Sequence, residues 1–419
     1  MIVMKFGGAS VNNAGSVKNA VEIIKNYQNH SLLVVVSAMG KTTNAFEHLL
    51  NACLYDRKNI TEFFEQIRIY HLQIIGDLFW PGHQVYSFME KLFLDISTRI
   101  ESRLSDNYDF EYDQLVSSGE LISATILNSY MNECGIKSNV FDARKLIITD
   151  DHYREARVDW EITERNISEK LSYLSKETGQ TAVTQGFIAC DGKYVTTLGR
   201  EGSDYTAAIF AYALNASEVI IWKDVPGLLN ADPKYFPEAE KLEEISYGEA
   251  IELAYYGATI IHPKTIKPLQ NRNIPLRVKS FINPDEAGSN ISKTEHSVDT
   301  IPSYIFKKEQ VLLSISPKDF SFIAEDNLHH IFGVFSRLHI KLNLMQNSAI
   351  SFSVCFDKDR NKLSLLLDAL KDVYQLKYND NLDLITIRHY NQKTIDKVVN
   401  NRQILLEQRS RVTIQLVVK

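Results

Sequence analysis

Residues 1–11 read MIVMKFGGASV, a short apolar run broken by one lysine, then two glycines, a small residue and a serine. Ile2, Val3, Met4 and Phe6 make a strand apolar on both faces, the pattern of a strand buried in a parallel sheet. Lys5 inside such a strand needs a partner or a task, because an unpaired buried ammonium is costly. Gly7 and Gly8 let bare backbone approach an anion where the next helix begins, and N–H groups with the helix dipole favour a phosphate there. The stretch lacks the GK[ST] ending of a Walker A loop and the third glycine of GxGxxG. On spacing alone, a phosphate cradle and a plain tight turn stand level.

The alternation continues beyond this opening. Ala14 to Tyr27 has helical spacing through Val17, Val21 and Ile24, and SLLVVVSAM (31–39) is a second strand apolar on both faces, so the expected class is α/β with a mainly parallel sheet sandwiched by helices. Residues 47–103 read as a helical cap broken at Trp80-Pro81-Gly82. TAVTQGFIA (181–189) and YVTTLG (194–199) are strands around a turn, followed by a helix from about Asp204 to Leu214. SEVIIWKDVPGLLNADPK (217–234) is a strand that ends in a loop at Asp224. SYGEAIELAYYG opens with Ser246 and Glu249 in capping-box spacing, and IPLRVKSF (274–281) is the last strand of this part. The polar, non-periodic stretch 283–300 reads as a boundary. Beyond it, strands and helices spell two small α+β modules that close on VTIQLVV, an edge strand a partner would cover.

The chain has 419 residues, enough for two or more domains. Its net charge of -6 and the lack of a Lys/Arg block disfavour nucleic acid and anionic membrane as partners. The 4 cysteines, Cys53, Cys134, Cys190 and Cys355, form no CxxC or Cys/His cluster, which gives no metal site and suits a reducing cytoplasm. No signal segment and no run long enough to span a membrane is visible, so the expected location is cytoplasmic.

Three further stretches carry candidate chemistry. In VSSGELISATIL, Ser117 and Glu120 have the spacing of a capping box, although Glu120 could instead meet an ammonium group. In TTLGREGSDYTAA, Arg200, Glu201, Ser203 and Asp204 lie in a glycine-framed loop before a helix. Ser203 or Asp204 could cap that helix, yet two glycines around an arginine make a loop able to fold over a ligand carboxylate. In WKDVPGLLNADPK, turn chemistry alone explains Pro226, Gly227 and Asp232, while strand ends of open α/β sheets are also where ligands bind.

Taken together and in order, these blocks resemble the aspartokinase branch of the amino acid kinase family. KFGGAS is similar to its KFGGTS, TTLGREGSDYTAA to its TTLGRGGSDYTA, and GATIIHPKTIKPL to its GAKVLHP segment; VVVSAMG, VSSGE and WKDVPGLLNADPK match its second strand, amino-acid site and nucleotide loop. The tail from ISPKDFSF to SVCFD resembles its paired ACT modules, which are ferredoxin-like. The resemblance implies a catalytic domain over 1–290 and a regulatory region over 300–419. Its first module would span about 309–375 and its second about 380–419, with 301–308 as a candidate further strand.

The implied reaction moves the γ-phosphoryl of ATP, with Mg2+ held mainly through the phosphates, to the side-chain carboxylate of L-aspartate. This is the first step toward lysine, threonine and methionine. A carboxylate with a pKa near ~3.9 is already ionised, so no general base is needed, and positioning with charge neutralisation carries the catalysis. The resemblance makes Lys5 and Asp204 catalytic, with Asp204 orienting the lysine. It gives Glu120 the substrate ammonium and Arg200 the α-carboxylate, with hydrogen bonds from Thr43 and Ser203. Gly7, Gly8, Ser10, Lys223, Asp224, Leu229 and Lys234 join Lys5 at the nucleotide. It also implies a monofunctional homodimer joined through the ACT modules.

The chain departs from the family pattern at Ala9, Glu201, Leu229 and Thr259. Asn343, Asn347 and Ser348 fall at the effector position, where lysine-inhibited members resemble VDLITTSE. The missing carboxylates leave lysine, threonine or no effector open. A kinase for glutamate or acetylglutamate would share the fold, but an acetylated amine would leave Glu120 unpaired. A non-catalytic amino-acid sensor would have no reason to keep Lys5, Arg200 and Asp204 together, and a dinucleotide oxidoreductase fails on the missing GxGxxG.

Overall fold

The computed structural model describes residues 1–258, 261–294, 301–319 and 321–419. It divides into two compact units, one of Met1–Leu228, Glu243–Ile251 and Ile260–Glu295, the other of Leu229–Leu242, Glu252–Thr259 and His296–Lys419.

The chain opens with β1 (Ile2–Phe6), α1 (Ala14–Lys25) and β2 (Leu32–Val36), and then enters the helical cap: α2 (Thr42–Tyr55), α3 (Ile60–Leu78), α4 (Val85–Glu101) and α5 (Tyr108–Val116). Next come α6 (Ser118–Glu133), β3 (Ser138–Phe141), α7 (Trp160–Leu171), α8 (Tyr173–Lys176), β4 (Thr181–Gln185), β5 (Ile188–Cys190) and β6 (Val195–Thr197). They are followed by α9 (Gly202–Leu214), β7 (Glu218–Lys223), β8 (Leu228–Leu229), β9 (Lys241–Leu242), β10 (Glu244–Ser246), α10 (Tyr247–Tyr256), α11 (Pro263–Asn271), β11 (Leu276–Ser280) and β12 (Ser289–Ser292).

The first unit is built on an eight-stranded sheet in the order β10-β12-β11-β7-β1-β2-β4-β3. β1 pairs in parallel with β2 on one side and β7 on the other, so Lys5 lies level with Val35 and Ile221. Every residue of β1 and β2 is buried, which accounts for their lack of alternation, and each large apolar side chain there contributes about 1.5–3 kcal/mol relative to exposure. Phe46, Leu49, Ile75, Met89 and Phe93 of the cap join Ile2, Met4 and Phe6 in one core. Glycine loops, a lysine and short loops thus collect where β1, β2, β4 and β7 end, the carboxyl edge at which open α/β sheets bind ligands. β12 forms inside the stretch that reads as a polar boundary and pairs antiparallel with β11. Its inward side is supplied by Ile291 and Ser289, too little apolar content to stand out in sequence.

The second unit carries β13 (Ser303–Pro317), α12 (Glu325–Arg337), β14 (Leu342–Asn347), β15 (Phe352–Asp357), α13 (Arg360–Leu370), β16 (Tyr374–Arg388), α14 (Gln392–Val399), β17 (Ile404–Arg409) and β18 (Thr413–Val418). They form a six-stranded antiparallel sheet, β14-β15-β13-β16-β18-β17. β13 and β16 are 15 residues each and run through both modules. Their register shifts between Lys307 and Leu312, and both Glu309 (φ 53) and Asn381 (φ 54) sit in the left-handed region at this seam. Val311, Leu313 and Ile315 pack with α12 and α13 on one side of it; Ile385, Ile387, Ile414 and Leu416 pack with α14 on the other. This bears out the mainly parallel sheet followed by two small α+β ACT-like modules. One expectation is corrected: VTIQLVV is no edge strand, because β18 lies between β16 and β17 and all six of its residues are buried. The edges are β14 and β17.

Candidate active site

Lys5 finds its partner in Asp204, on the first turn of α9, with Nζ 2.6 Å from Oδ1. The other oxygen of Asp204 lies 3.2 Å from Lys223 Nζ at the end of β7. Asp204 is 2% exposed. Burial alone would raise its carboxyl, but Lys5 and Lys223 outweigh that and hold it below the usual carboxylate range. Asp204 thus gathers two ammonium groups at the carboxyl edge of the sheet, an attractive place for an anion. Asp204 does not cap its helix; that place falls to Glu201, in the left-handed region at φ 54 and without a side-chain cap. Burial raises the Glu201 carboxyl, and its Oε2 has no hydrogen-bond partner.

The double glycine is now explained by the neighbouring loop. A Cβ on Gly8 would stand 2.7 Å from the Gly40 carbonyl oxygen and 2.8 Å from that of Ala38, and the Gly40 N–H donates to Gly8 O at 2.9 Å. The β1–α1 and β2–α2 loops therefore interlock through backbone, which only glycine allows. A Cβ on Gly7 would lie 3.4 Å from Lys5 Nζ. The buried Ser10 hydroxyl donates to Trp222 O at 3.3 Å and ties the turn to β7. Thr43, half-buried on the first turn of α2, makes no hydrogen bond through its hydroxyl among the described residues; its neighbour Thr42 donates to Met39 O at 2.6 Å. Helix α3 supports both loops. Tyr70 donates to Asn12 O at 2.6 Å, and His71, which burial lowers to about 4, meets Thr42 Oγ1 at 3.4 Å.

The capping-box reading of Ser117 and Glu120 fails. Ser117 makes no side-chain cap and donates instead to Gln114 O at 3.2 Å. Glu120, 2% exposed, accepts the Ala38 N–H at 3.4 Å, while its Oε2 has no partner. Burial pushes its carboxyl up to about 8, against the pull of the backbone donors at Glu120 and Ala38. A buried carboxyl with one idle oxygen is a seat for a cationic donor, since leaving it unpaired is unfavourable.

Arg200 follows Gly199 (φ 77), is exposed and forms no ion pair among the described residues. Ser203 is buried and packs so closely on Gly186 that a Cβ there would lie 2.5 Å from its own. A residue that sequence reasoning missed joins these parts. Asp113, fully buried on α5, accepts from Thr197 N (2.8 Å), Thr197 Oγ1 (2.7 Å) and Arg154 N (3.0 Å). Burial nevertheless pushes it up to about 6. It links the helices bearing Glu120 to β6, the strand that leads into Arg200. No local pattern marks it in sequence, because its donors come from the distant 154 and 197 segments.

Among the remaining expected residues, Asp224 is exposed just after β7. Leu229, half-buried in β8, and the exposed Lys234, whose N–H donates to Asp232 at 2.9 Å, belong to the second unit. Thr259 lies outside the described residues. Within the second unit, Asn343 is engaged by Lys307 (2.7 Å), Gln310 (2.8 Å) and Asp357 (2.9 Å), Ser348 bonds to Ser351, and Asn347 is exposed at the end of β14. Among the described residues no three His, Cys, Asp or Glu side chains gather as a metal site, and no helix is long and apolar enough to cross a membrane.

Comparison with known proteins agrees with this geometry. The model of the amino acid kinase family matches residues 1–280. Aspartokinase 2, chloroplastic, of Arabidopsis thaliana is 30% identical, over 99% of this chain and 81% of its own length. The crystal structure of E. coli aspartokinase III with aspartate and ADP in its R-state superposes with a TM-score of 0.84 at 27% identity, covering 100% of this chain and 96% of that one. The same enzyme with lysine and aspartate in its T-state gives 0.83 at 27%, covering 100% and 95%.

Proposed function

Since the chain belongs to the amino acid kinase family, in its aspartokinase branch, we propose that it transfers the γ-phosphoryl of ATP to the side-chain carboxylate of L-aspartate, giving 4-phospho-L-aspartate on the way to lysine, threonine and methionine. The observation that carries this reading is Asp204, buried between Lys5 and Lys223 beside the interlocked glycine loops. Lys5 neutralises charge on the phosphoryl in flight, the Gly7 and Gly8 amides flank it, and Asp204 holds the lysine in place. Asp204 has no proton to abstract, because the acceptor carboxylate is already ionised. Glu120 takes the substrate ammonium and Arg200 the α-carboxylate, while the hydroxyls of Thr43 and Ser203 add hydrogen bonds. Lys223, Asp224, Leu229 and Lys234 serve the nucleotide, with Ser10 fixing the turn. Mg2+ would enter on the phosphates and screen their charge.

We further propose residues 1–290 as the catalytic domain and 300–419 as the regulatory one. Lysine is the first effector to test, since the E. coli relative is known with lysine bound. Asn347 and Ser348 are its accessible contacts, whereas Asn343 would have to leave its present partners. Threonine is the second. The open edges β14 and β17 favour a homodimer, and the free cysteines a reducing cytoplasm.

The test is MgATP with single L-amino acids, trapping acyl phosphate with hydroxylamine, on wild type and Lys5→Ala. Hydroxamate formed with aspartate and lost in the variant is expected. Tight amino-acid binding without turnover would sink the kinase reading in favour of a sensor.

A further inference from the structure

The first unit holds a second concavity that shares no residue with the site above. It has a volume of about 540 Å³ and lies among the 152–158 loop, α7, α9 and α11. We propose that this cavity, walled by Trp160, Tyr205 and Tyr212 and rimmed by Arg157, Lys264 and Lys267, binds a small anion carried on a planar ring.

The walls set the ring. Trp160 meets Tyr212 edge-on at 5.1 Å and Tyr205 at 6.3 Å, and Arg272 stacks on Tyr212 at 4.5 Å, so the hollow is lined by aromatic rings against which a planar ligand can pack. Among the described residues neither tyrosine hydroxyl nor the indole N–H has a hydrogen-bond partner, and none of the three is a buried orphan, so all remain available. Burial raises Tyr205 to about 12, which keeps its hydroxyl neutral and able to donate.

The rim sets the charge. Arg157, Lys264 and Lys267 are exposed and form no ion pair among the described residues, and the one carboxylate lining the cavity is Glu155. Three cations with no ion pair among the described residues border one hollow against a single lining carboxylate, a positive rim in a chain of net charge -6. Solitary surface cations would need no explanation; convergence on an aromatic hollow is what points to a ligand.

The cavity is separate from the catalytic edge although Asp204 and Tyr205 are neighbours. Consecutive helical residues diverge by about 100° around the axis, so Asp204 turns to Lys5 while Tyr205 lines the hollow. The far wall is bonded to the catalytic loop: Ala156 N donates to Thr197 O at 3.0 Å, and a Cβ on Gly199 would lie 3.1 Å from Arg154 O. Aspartate has no ring and does not fit this chemistry. A mononucleotide and an aromatic carboxylate both do, and the experiment separates them.

The full chain labelled with 5-fluorotryptophan gives ¹⁹F signals for its 3 tryptophans, with Trp160 assigned through Trp160→Phe. AMP, 4-hydroxybenzoate and inorganic phosphate are titrated separately. A saturable shift of the Trp160 signal below about 5 mM is expected with at least one ring-bearing anion, weakened about 10-fold or more by Lys264→Glu with Lys267→Glu. The responding arm identifies the source. Trp222, which precedes Lys223, reports any AMP at the nucleotide site instead. Aspartate-dependent turnover checks that the double variant is folded, and Arg157→Glu repeats the comparison from another element. No saturable shift with either ring anion, equal affinity in both charge-reversed variants, or an equal response to phosphate alone would overturn the proposal.

Discussion

If Glu120 receives the substrate ammonium, aspartate must expel a proton when it binds. Burial holds the Glu120 carboxyl at about 8 in the free protein, whereas an adjacent ammonium favours the ionised form. Below that value the binding-competent fraction falls about tenfold per pH unit, so between pH 8 and pH 6.5 the apparent affinity for aspartate drops about 16-fold, or about 1.6 kcal/mol. Both carboxylates of aspartate stay ionised across this window and its ammonium stays protonated. Asp113, near 6, lies below most of it. Calorimetric titration of aspartate at pH 6.5, in two buffers of different ionisation enthalpy, should show about one proton released per aspartate, falling to about 0.1 at pH 9. Glu120→Gln should bind more weakly and release none. Wild-type binding at pH 6.5 without proton release would refute the reasoning and place the ammonium elsewhere. Stability of the free protein runs the opposite way to affinity. A folded-state value raised above the unfolded one contributes fully below about 4.5 and is lost as pH rises through about 8, so Glu120→Gln should melt above wild type at pH 8–9.

Lys5→Ala should lower kcat by ~30-fold to 1000-fold, because it removes the charge nearest the transferring group; unchanged turnover in the hydroxamate assay would exclude that role. Gly8→Ala drives a methyl into two backbone carbonyls, so thermal unfolding should reveal a loss of about 1–3 kcal/mol together with lost activity. Gly76→Ala is its control: it lies in α3 with nothing within 4 Å and should gain up to about 1 kcal/mol with activity intact. Arg200→Ala should raise the KM for aspartate while leaving the melting temperature unchanged, since Arg200 is exposed and forms no ion pair among the described residues.

The strands that centre the first sheet were legible because burial on both faces writes an uninterrupted apolar run, and Lys5 stood out against it. The reason for Gly8 was not legible, since it lies in two carbonyls some thirty residues away. Glu120 was masked by a coincidence, because a ligand-seeking carboxylate and a capping box share the same spacing from Ser117. Asp113 left no local mark; its three donors come from the 154 and 197 segments. In the tail, Glu309 and Asn381 reset the inward face at the seam, so β13 and β16 read as shorter strands than they are. The inner place of β18 was a matter of sheet order, which no segment carries alone.

The two long strands also bear on how the second unit can be inherited. β13 and β16 each supply a central strand to both modules, so no single cut in the chain separates one module from the other with its sheet complete. A break at Glu309 would strip one module of its opening strand; a break at Asn381 would strip the other of its closing one. Recombination can thus move the pair only as a cassette. Their drift in sequence is tied as well, because a residue gained or lost in either strand shifts the register of both halves at once.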